Sequence, residues 1–469
     1  MQFDSLDYLL LLLATLVGFY GLRGRGRLAV LIIASAVFYG AWSIEFLGLI
    51  AISAAVDFSC GLLLASPARK RRWLILLASV VTNLGILGYF KYAGFFVANV
   101  QAVFGDVVPG SVIEIVLPPG ISFYTFQTMS YTIDVYRGHI RPTRSLSRFF
   151  VYVSFFPQLV AGPIERASRL LPQIEQALHL RFSAANVLVG TRMIVWGMFK
   201  KVVIADHCAR LVEGVYADPS GYDGWAALVA TYAFTLQIYC DFSAYSEIAR
   251  GSARLVGIEL MRNFDQPYLV TNMRNFWRHW HISLSEWFRD YVFVPLGGSR
   301  GSRGRTLANL TATMFLSGLW HGAAWNFVLW GLFHGVLLLL HALWSARAST
   351  RTLMTRLGGL GTAFSWWLTF HLVVVGWVLF RVDHLSDAVT VVGSMVMAPL
   401  SGTLPSGGQA LFLAAVAGFL VVSAMARRGR WRQRIDASPA AAVFLYGTAL
   451  VATLVLGAKD GPQFIYFQF

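Results

Sequence analysis

Long apolar runs alternate with short polar and basic segments along most of the chain. The runs approach or reach the roughly 20 residues that an α-helix needs to cross a bilayer, and Gly, Pro or charged residues bound each run. This pattern predicts closely spaced transmembrane helices, about eleven in number. The predicted spans are Tyr8–Leu22, Leu28–Trp42, Phe46–Leu64, Trp73–Phe90, Val187–Ala205, Trp225–Ile248, Leu307–Trp325, Phe327–Trp344, Phe364–Phe380, Leu411–Met425 and Ala440–Leu456.

The composition favours an integral membrane protein. Of the 469 residues, 57% are hydrophobic and 13% are charged, and the mean hydropathy is +0.60, whereas a soluble domain carries about 25% charged residues. We therefore predict an all-α polytopic fold with a single integral membrane domain over residues 1–469. The run at Tyr8–Leu22 has no basic segment before it and no small-residue cleavage site, so it is interpreted as a retained first span rather than a signal peptide.

The net charge of +15 indicates topology rather than a nucleic-acid partner, because Lys and Arg fall in short clusters between apolar runs. Two such clusters, RGRGR (Arg23–Arg27) and ARKRR (Ala68–Arg72), are separated by two spans. Two more, at Ser345–Arg356 and Ala426–Arg434, are also separated by two spans. The positive-inside rule places all four clusters in the cytoplasm. We therefore expect the N-terminus and the C-terminal segment 461–469 on the extracytoplasmic side.

One apolar segment, Phe149–Ile174, is interrupted by Pro157, Gly162 and Pro163. Broken segments at membrane depth are tolerated where they are buried in protein or line a cavity. This segment is therefore predicted to be re-entrant or partly embedded.

A second unusual segment is NFWRHWHISLSEWFRDYVFVPLGGSRG (Asn275–Gly301), which mixes aromatic and charged residues. Phe276, Trp280 and Trp287 can form one helical stripe, which favours an amphipathic helix at the membrane surface. The functional alternative is that His281 faces inward to a polar site.

His321 lies within the predicted span Leu307–Trp325. Burying an imidazole in hydrocarbon is costly unless it is hydrogen-bonded, so an intramembrane histidine indicates function by default, with a structural histidine as the alternative. The small neighbours Gly318 and Gly322 allow close helix packing or leave room for a substrate channel. The other histidines in apolar stretches, predicted to be structural, are His334, His341 and His371.

A buried, neutral histidine supports two kinds of chemistry. It can take a proton from a hydroxyl that attacks an acyl carbon, or it can relay protons in a transporter together with Asp241. Residue types alone leave both open. No histidine pair has i,i+4 spacing with a carboxylate, and the three cysteines have no paired spacing, so neither a metal site nor a disulfide framework is predicted.

Six motifs that follow one another along the chain carry a resemblance to one family. They are LPPGISFYTFQTMSYTIDVYRG (Leu117–Gly138), FFPQLVAGPIER (Phe155–Arg166), YCDFSAYSEIARG (Tyr239–Gly251), NFDQPY (Asn263–Tyr268), FWRHWHISLSEWFRDYVFVPLGG (Phe276–Gly298) and GLWHGAAWNFVLWG (Gly318–Gly331). With these motifs the chain resembles the membrane-bound O-acyltransferase (MBOAT) family, and within it the bacterial branch that includes the alginate O-acetyltransferase membrane subunit.

The resemblance implies that His321 is the catalytic base and that His281 supports it. It also implies a ring of helices, with re-entrant and interfacial helices, around a central tunnel in the bacterial inner membrane. Acetyl-CoA is the expected donor, with no metal and no CoA-contacting residue assigned. The expected acceptor is an extracytoplasmic polysaccharide such as alginate, reached through a periplasmic SGNH-hydrolase-like acetyltransferase. Alternatives are a peptidoglycan, cellulose or lipid acceptor, or a proton-coupled transporter or flippase.

The C-terminal tail GPQFIYFQF (461–469) matches a second pattern. In the related teichoic acid system, a separate one-span partner ends in F-x-Y-x-x-F, whose tyrosine accepts the acyl group. Phe464, Tyr466 and Phe469 match this motif, so the resemblance implies that Tyr466 is an acyl carrier. Six extended residues span roughly 20 Å, and Gly461–Pro462 provides a bend. The alternative is an aromatic anchor at the membrane interface.

Overall fold

A computed structural model of the chain describes residues 1–66, 70–105, 115–400, 404–427, 438–458 and 461–467. Every regular element within these ranges is a helix, which confirms the all-α prediction. The basic clusters predicted at 68–72 and 426–434 fall partly outside the described residues, and Phe469 lies outside them.

The helices follow one another with short connections. Those of the first half are α1 (Leu6–Gly21), α2 (Arg25–Gly40), α3 (Ile44–Leu64), α4 (Arg72–Leu87), α5 (Ala93–Phe104), α6 (Ile121–Arg137), α7 (Leu146–Ser154), α8 (Ala167–Ala177), α9 (Ala184–Met198), α10 (Asp206–Ala217) and α11 (Gly224–Leu255). Those of the second half are α12 (Met273–His279), α13 (Ile282–Phe288), α14 (Arg303–His321), α15 (Trp325–Ala346), α16 (Ala348–Arg381), α17 (Leu385–Met397), α18 (Gly407–Arg427) and α19 (Pro439–Leu456). π-helical turns occupy Gly88–Tyr92, Phe199–Ala205 and Arg289–Phe293, and 3₁₀ turns occupy Pro219–Gly221, Pro267–Leu269, Ala398–Leu400 and Ile465–Phe467.

The chain is a multi-pass membrane protein. Six described helical stretches are long and apolar enough to cross a membrane: Ile44–Leu64, Arg72–Phe104, Trp325–Ala346, Arg356–Arg381, Gly407–Met425 and Pro439–Leu456. Leu6–Gly21 and Leu385–Leu400 are shorter apolar helices. The remaining predicted spans coincide with α2, α9, α11 and α14, which are shorter or more polar than these six.

Two compact units make up the chain, the first formed by Met1–Gly197 with Tyr245–Arg262. In this unit α6, which the sequence pattern did not predict as a span, is buried over nearly its whole length. Asp57 of α3 accepts hydrogen bonds from Ser79 and from Asn83 Nδ2 of α4, the latter at 2.8 Å. Such internal pairing satisfies polar groups that lipid cannot.

The segment predicted to be re-entrant forms α7, an irregular stretch and α8 in this first unit. Residues 155–165 of the irregular stretch are buried almost throughout. The backbone carbonyl of Tyr152 accepts hydrogen bonds from Gln127 Nε2 at 2.5 Å and from Gln158 Nε2 at 2.8 Å. Protein groups therefore satisfy backbone next to the break, as membrane-embedded irregular structure requires.

The second unit, Met198–Ala244 with Asn263–Phe469, contains the predicted site residues. Its central feature is the helical hairpin of α14 and α15, joined by the three residues Gly322, Ala323 and Ala324. The start of α11 and the broken helix pair α12 and α13 belong to the same unit. These elements supply the side chains described next.

Candidate functional site

His321 is the last residue of α14, and its side chain is buried. The next residue, Gly322, is extended, with φ −161° and ψ 152°. The predicted span that continues through His321 to Trp325 is therefore wrong in its boundary. The helix ends at His321, so the imidazole lies at a helix end, where the chain becomes extended, rather than in the middle of a span.

Two glycines allow α14 and α15 to cross at close range beside this histidine. A Cβ on Gly318 would lie 2.3 Å from the Phe327 carbonyl oxygen, and a Cβ on Gly331 would lie 2.4 Å from the Met314 carbonyl oxygen. Because both obstacles are backbone atoms, only glycine fits without moving a helix. The close crossing fixes the end of α14 against α15 and thereby the position of His321.

His281 lies at the break between α12 and α13 and is fully buried. Its backbone adopts the left-handed conformation, with φ 41° and ψ 57°, which costs a non-glycine residue about 1–3 kcal/mol. The predicted single stripe through Phe276, Trp280 and Trp287 is wrong as a helical stripe, because the helix is interrupted at Trp280 and His281. All three aromatic side chains are nevertheless buried.

Asn263 holds this break in place. Its carbonyl oxygen accepts a hydrogen bond from the Ile282 amide at 2.9 Å, and its Oδ1 accepts one from Ser283 Oγ at 2.6 Å. The Asp265 amide donates to the His279 carbonyl at 3.0 Å. The NFD segment therefore pairs with the backbone on both sides of His281 and offsets the cost of its strained conformation.

The ring of Tyr466 lies beside both histidines, and the three rings form a nearly equilateral triangle. The Tyr466 ring centroid is 5.9 Å from that of His321 and 6.1 Å from that of His281, and the two imidazoles are 6.5 Å apart. The ring of Phe242 from α11 lies 4.1 Å from that of Tyr466. The structure thus brings together all three predicted site residues, which come from three distant parts of the sequence.

The electrostatics of the site favour neutral groups. Burial lowers the pKa of His281 to about 3, so this imidazole is neutral near pH 7. Burial raises the pKa of Tyr466 well above its ordinary value, so the phenol keeps its proton. A phenol in this environment needs an adjacent base before it can act as a nucleophile.

His334 and His371, two of the histidines predicted to be structural, have other partners than Tyr466. His371 Nε2 is 2.8 Å from Tyr232 Oη and its Nδ1 is 2.8 Å from the Trp367 carbonyl oxygen. His334 of α15 is buried and packs 4.9 Å from the Trp330 ring. Neither approaches Tyr466 through a described ring contact.

A group of charged residues near the tail was missed by the sequence analysis. Lys201 Nζ lies 2.8 Å from Asp206 Oδ1 and 3.0 Å from Asp241 Oδ1, and all three side chains are buried. The signal was present, because Lys201 falls inside the predicted apolar span Val187–Ala205 and an intramembrane ionisable residue indicates function by default. Asp241 had been considered only as a proton relay.

Among the described residues, no group of three or more His, Cys, Asp or Glu is arranged to hold a metal ion. Cys60, Cys208 and Cys240 are buried free thiols. The site described here consists of two imidazoles, a phenol and the aromatic rings around them.

Known proteins are similar in sequence to this chain over most of its length. The sequence model described as the "MBOAT, membrane-bound O-acyltransferase family" matches residues 113–379, which include His281 and His321 but not Tyr466. The chain is 41% identical over 398 residues to a probable alginate O-acetylase AlgI of Azotobacter vinelandii, with 83% of this chain and 76% of the relative covered. A probable alginate O-acetylase AlgI of Pseudomonas aeruginosa is 42% identical over 398 residues, with 83% and 73% covered.

A peptidoglycan O-acetyltransferase of Helicobacter pylori is also similar, at 33% identity over 393 residues, with 78% of this chain and 73% of the relative covered. The family model covers more than half of the chain, and the relatives match most of it. The resemblance indicated by the six motifs is thereby confirmed, and so is the assignment of an acyltransferase. The chain belongs to the membrane-bound O-acyltransferase family.

Proposed function

We propose that this protein moves an acetyl group from a cytoplasmic thioester donor, acetyl-CoA, to an extracytoplasmic polysaccharide through an acetyl-Tyr466 intermediate. The observation that carries the proposal is the position of Tyr466, whose ring lies within 6.1 Å of both His281 and His321. An aromatic anchor at the membrane interface would not need to place its ring beside two buried imidazoles.

In the first step the Tyr466 oxygen attacks the thioester carbonyl carbon as His321 takes the phenol proton. The carbon–sulfur bond then breaks, and the leaving thiolate takes the proton back from the imidazolium. The products are acetyl-tyrosine and the free thiol, so His321 ends neutral. His281 supports this site as a second neutral imidazole next to the phenol.

A two-step route resolves a geometric problem. The donor is too polar to cross the bilayer, whereas an acetylated tyrosine on a short tail needs only to reorient. The positive-inside rule favours a cytoplasmic location for the basic clusters at Arg23–Arg27 and Ser345–Arg356. With these clusters inside, both termini are expected on the extracytoplasmic side. In this mechanism the protein lies in the bacterial inner membrane. The donor and the tail meet in a central tunnel between its helices.

The names of the relatives guide the choice of acceptor. Two relatives above 40% identity are named as alginate O-acetylases, which favours alginate or a similar exopolysaccharide. A peptidoglycan acceptor is the second candidate, because a relative at 33% identity carries that name. In either case we expect a periplasmic SGNH-hydrolase-like acetyltransferase to take the group from Tyr466 and deliver it.

The test is covalent labelling of the purified, membrane-reconstituted chain with acetyl-CoA that is radiolabelled in the acetyl group. We expect label on the wild-type protein, none on Tyr466→Phe and little on His321→Ala. The control is Tyr222→Phe, which removes the hydroxyl of an exposed tyrosine and should label like the wild type. Undiminished labelling of Tyr466→Phe would contradict the carrier role.

The His321→Ala variant also tests the overall reaction, as distinct from formation of the acetyl-tyrosine intermediate. When the variant protein is folded and inserted in the membrane, the cells should lose polysaccharide acetylation. Normal acetylation by His321→Ala would overturn the whole mechanism, because His321 is the residue that takes the phenol proton in it.

A further inference from the structure

Three charged side chains form a cluster at the C-terminal tail: Lys201, Asp206 and Asp241, here called the docking cluster. Lys201 belongs to the π-helical turn Phe199–Ala205, Asp206 begins α10, and Asp241 lies in α11. Their side chains are 1%, 2% and 4% exposed. One ammonium between two carboxylates leaves a formal charge of −1 in a buried place, which is costly unless further donors approach the carboxylates.

The docking cluster contacts the tail through main-chain atoms. Lys201 Nζ donates a hydrogen bond to the Pro462 carbonyl oxygen at 2.7 Å. Asp241 Oδ2 accepts a hydrogen bond from the Ile465 amide at 2.6 Å. The same ammonium lies 4.6 Å from the centroid of the Phe464 ring, within cation–π range. The tail is therefore held at both ends of a four-residue segment.

Asp206, the third member, sets how closely the tail approaches. A Cβ on Gly461 would lie only 2.2 Å from Asp206 Oδ2. A further contact lies just before the tail, where the Ala458 amide donates to the Val202 carbonyl at 3.0 Å. The turn that carries Lys201 thus contacts the chain on both sides of Gly461.

We infer that Lys201, Asp206 and Asp241 are positioning residues that dock the C-terminal tail and thereby hold Tyr466 beside His281 and His321. The inference rests on the proposed function for its catalytic consequence, but docking itself is a separate claim. Because Asp241 fixes the amide of Ile465, the Cα of Tyr466 lies only one peptide unit, about 3.8 Å, from the Cα of an anchored residue. Few rotations then separate the anchor from the phenol.

This geometry gives Asp241 a role in holding the tail. One of its oxygens lies 3.0 Å from Lys201 Nζ, and the other accepts a hydrogen bond from the Ile465 amide. Charge-assisted hydrogen bonds of this kind are about twice as strong as neutral ones. A carboxylate that binds main-chain N–H is suited to holding a segment in place.

The experiment measures tail docking directly in the full-length protein. Cys60, Cys208 and Cys240 are replaced, and Ile465→Cys, a position that is 4% exposed, provides the only thiol. The rate of its modification by a maleimide reports how often the tail leaves its place. In the Lys201→Met and Asp241→Ala backgrounds we expect this rate to rise at least about tenfold, which corresponds to the loss of one charge-assisted hydrogen bond.

Two controls distinguish docking from general loosening. Asp57→Asn alters a buried carboxylate in the first unit and should leave the modification rate at residue 465 unchanged. A thiol introduced at Tyr222, which is 46% exposed in the loop before α11, should react equally fast in all backgrounds. Equal rates at residue 465 in Lys201→Met, Asp241→Ala and the parent would overturn the docking role.

A kinetic readout tests the catalytic consequence. With the tail loosened, acetyl transfer to Tyr466 should slow at least about tenfold in kcat, whereas KM for acetyl-CoA should stay constant, as expected of residues that act only by positioning the tail. Increased thiol access combined with wild-type acetyl transfer would refute the positioning role. If Tyr466 is never acetylated in any background, the proposed function fails, yet the thiol-access result still decides whether the tail docks.

Discussion

Replacing Gly461 with alanine places a methyl carbon 2.2 Å from Asp206 Oδ2 and 2.6 Å from its Cγ. Ordinary contact begins near 3.4 Å, so the carboxylate or the tail has to move by about 1.2 Å. Asp206 is buried and binds Lys201 at 2.8 Å, and Lys201 in turn binds the Pro462 carbonyl at 2.7 Å. A shift of this size therefore weakens one of these two bonds.

The expected magnitude follows from the bond that is lost. A hydrogen bond to a charged group contributes about 1.5–3 kcal/mol, which corresponds to a decrease of about 10- to 150-fold in the equilibrium ratio of docked to undocked tail. We expect the initial rate of acetyl-Tyr466 formation in Gly461→Ala to fall by up to this factor. The assay is the radiolabel incorporation described above, measured at early times with saturating acetyl-CoA.

The matched control is Gly447→Ala on α19, where an added Cβ meets no atom within 4 Å. This variant should form acetyl-Tyr466 at the wild-type rate. A double-mutant cycle isolates the steric cause, because Asp206→Ala removes the atoms that the new methyl group meets. Adding Gly461→Ala to that background should cost little further. A wild-type rate in Gly461→Ala, or a full additional loss in the Asp206→Ala background, would refute the reasoning.

Three further predictions concern the histidines and the helix crossing. Gly331→Ala should destabilise the protein by about 1–3 kcal/mol, seen as a lower melting temperature, because its Cβ meets the Met314 carbonyl at 2.4 Å; Gly393→Ala, with open space around it, serves as control. Asn263→Ala should lower acetyl transfer about tenfold with the membrane-inserted amount unchanged, because the variant loses the hydrogen bond from Ser283 Oγ that orients the turn at His281. Wild-type activity would contradict the role of Asn263 in holding this turn. The pH–rate profile of the residual activity of His281→Gln should have the same shape as that of the wild type between pH 5 and 8, because a pKa lowered to about 3 leaves His281 neutral throughout this range; a change of shape in this range would show that His281 titrates there.

The membrane class, the helical fold and the two catalytic histidine candidates were within reach of the sequence. Apolar runs of spanning length reflect the thickness of the bilayer, which imposes the same requirement on any chain. His321 stood out because imidazoles are rare within apolar segments, and the family resemblance distinguished His281 and His321 from the other histidines in such stretches. Their proximity to Tyr466 followed only from the family resemblance, since no local pattern links residues so far apart in sequence.

The end of α14 and the break at His281 were not predicted because tertiary contacts determine both. Gly322 is small, but small residues also occur inside membrane helices, so its presence did not indicate a helix end. The left-handed backbone of His281 is stable only because the NFD segment pairs with its neighbours. Periodicity alone therefore extended one helix through each of these positions.

The docking cluster was missed for a different reason. Val187–Ala205 reads as apolar on average, and two adjacent lysines barely change the mean hydropathy of a window of that length. Asp206 lies only five positions after Lys201, but Asp241 is 40 positions from that lysine in the printed sequence, so no local pattern brings the second carboxylate to the ammonium. Only the folded chain places one ammonium between the two carboxylates.

Recognition of the tail through its backbone has a consequence for how freely its sequence can change. The Pro462 carbonyl and the Ile465 amide would be present with almost any side chains at these positions. Proline is accepted at 462, where only a carbonyl is needed, but it would be excluded at 465, where the N–H is required. A foreign peptide that keeps glycine at the first position, an aromatic ring at the fourth and an amide at the fifth could therefore replace the tail after α19. The residue next to that amide, here Tyr466, could then be varied without removing the contacts that dock the tail.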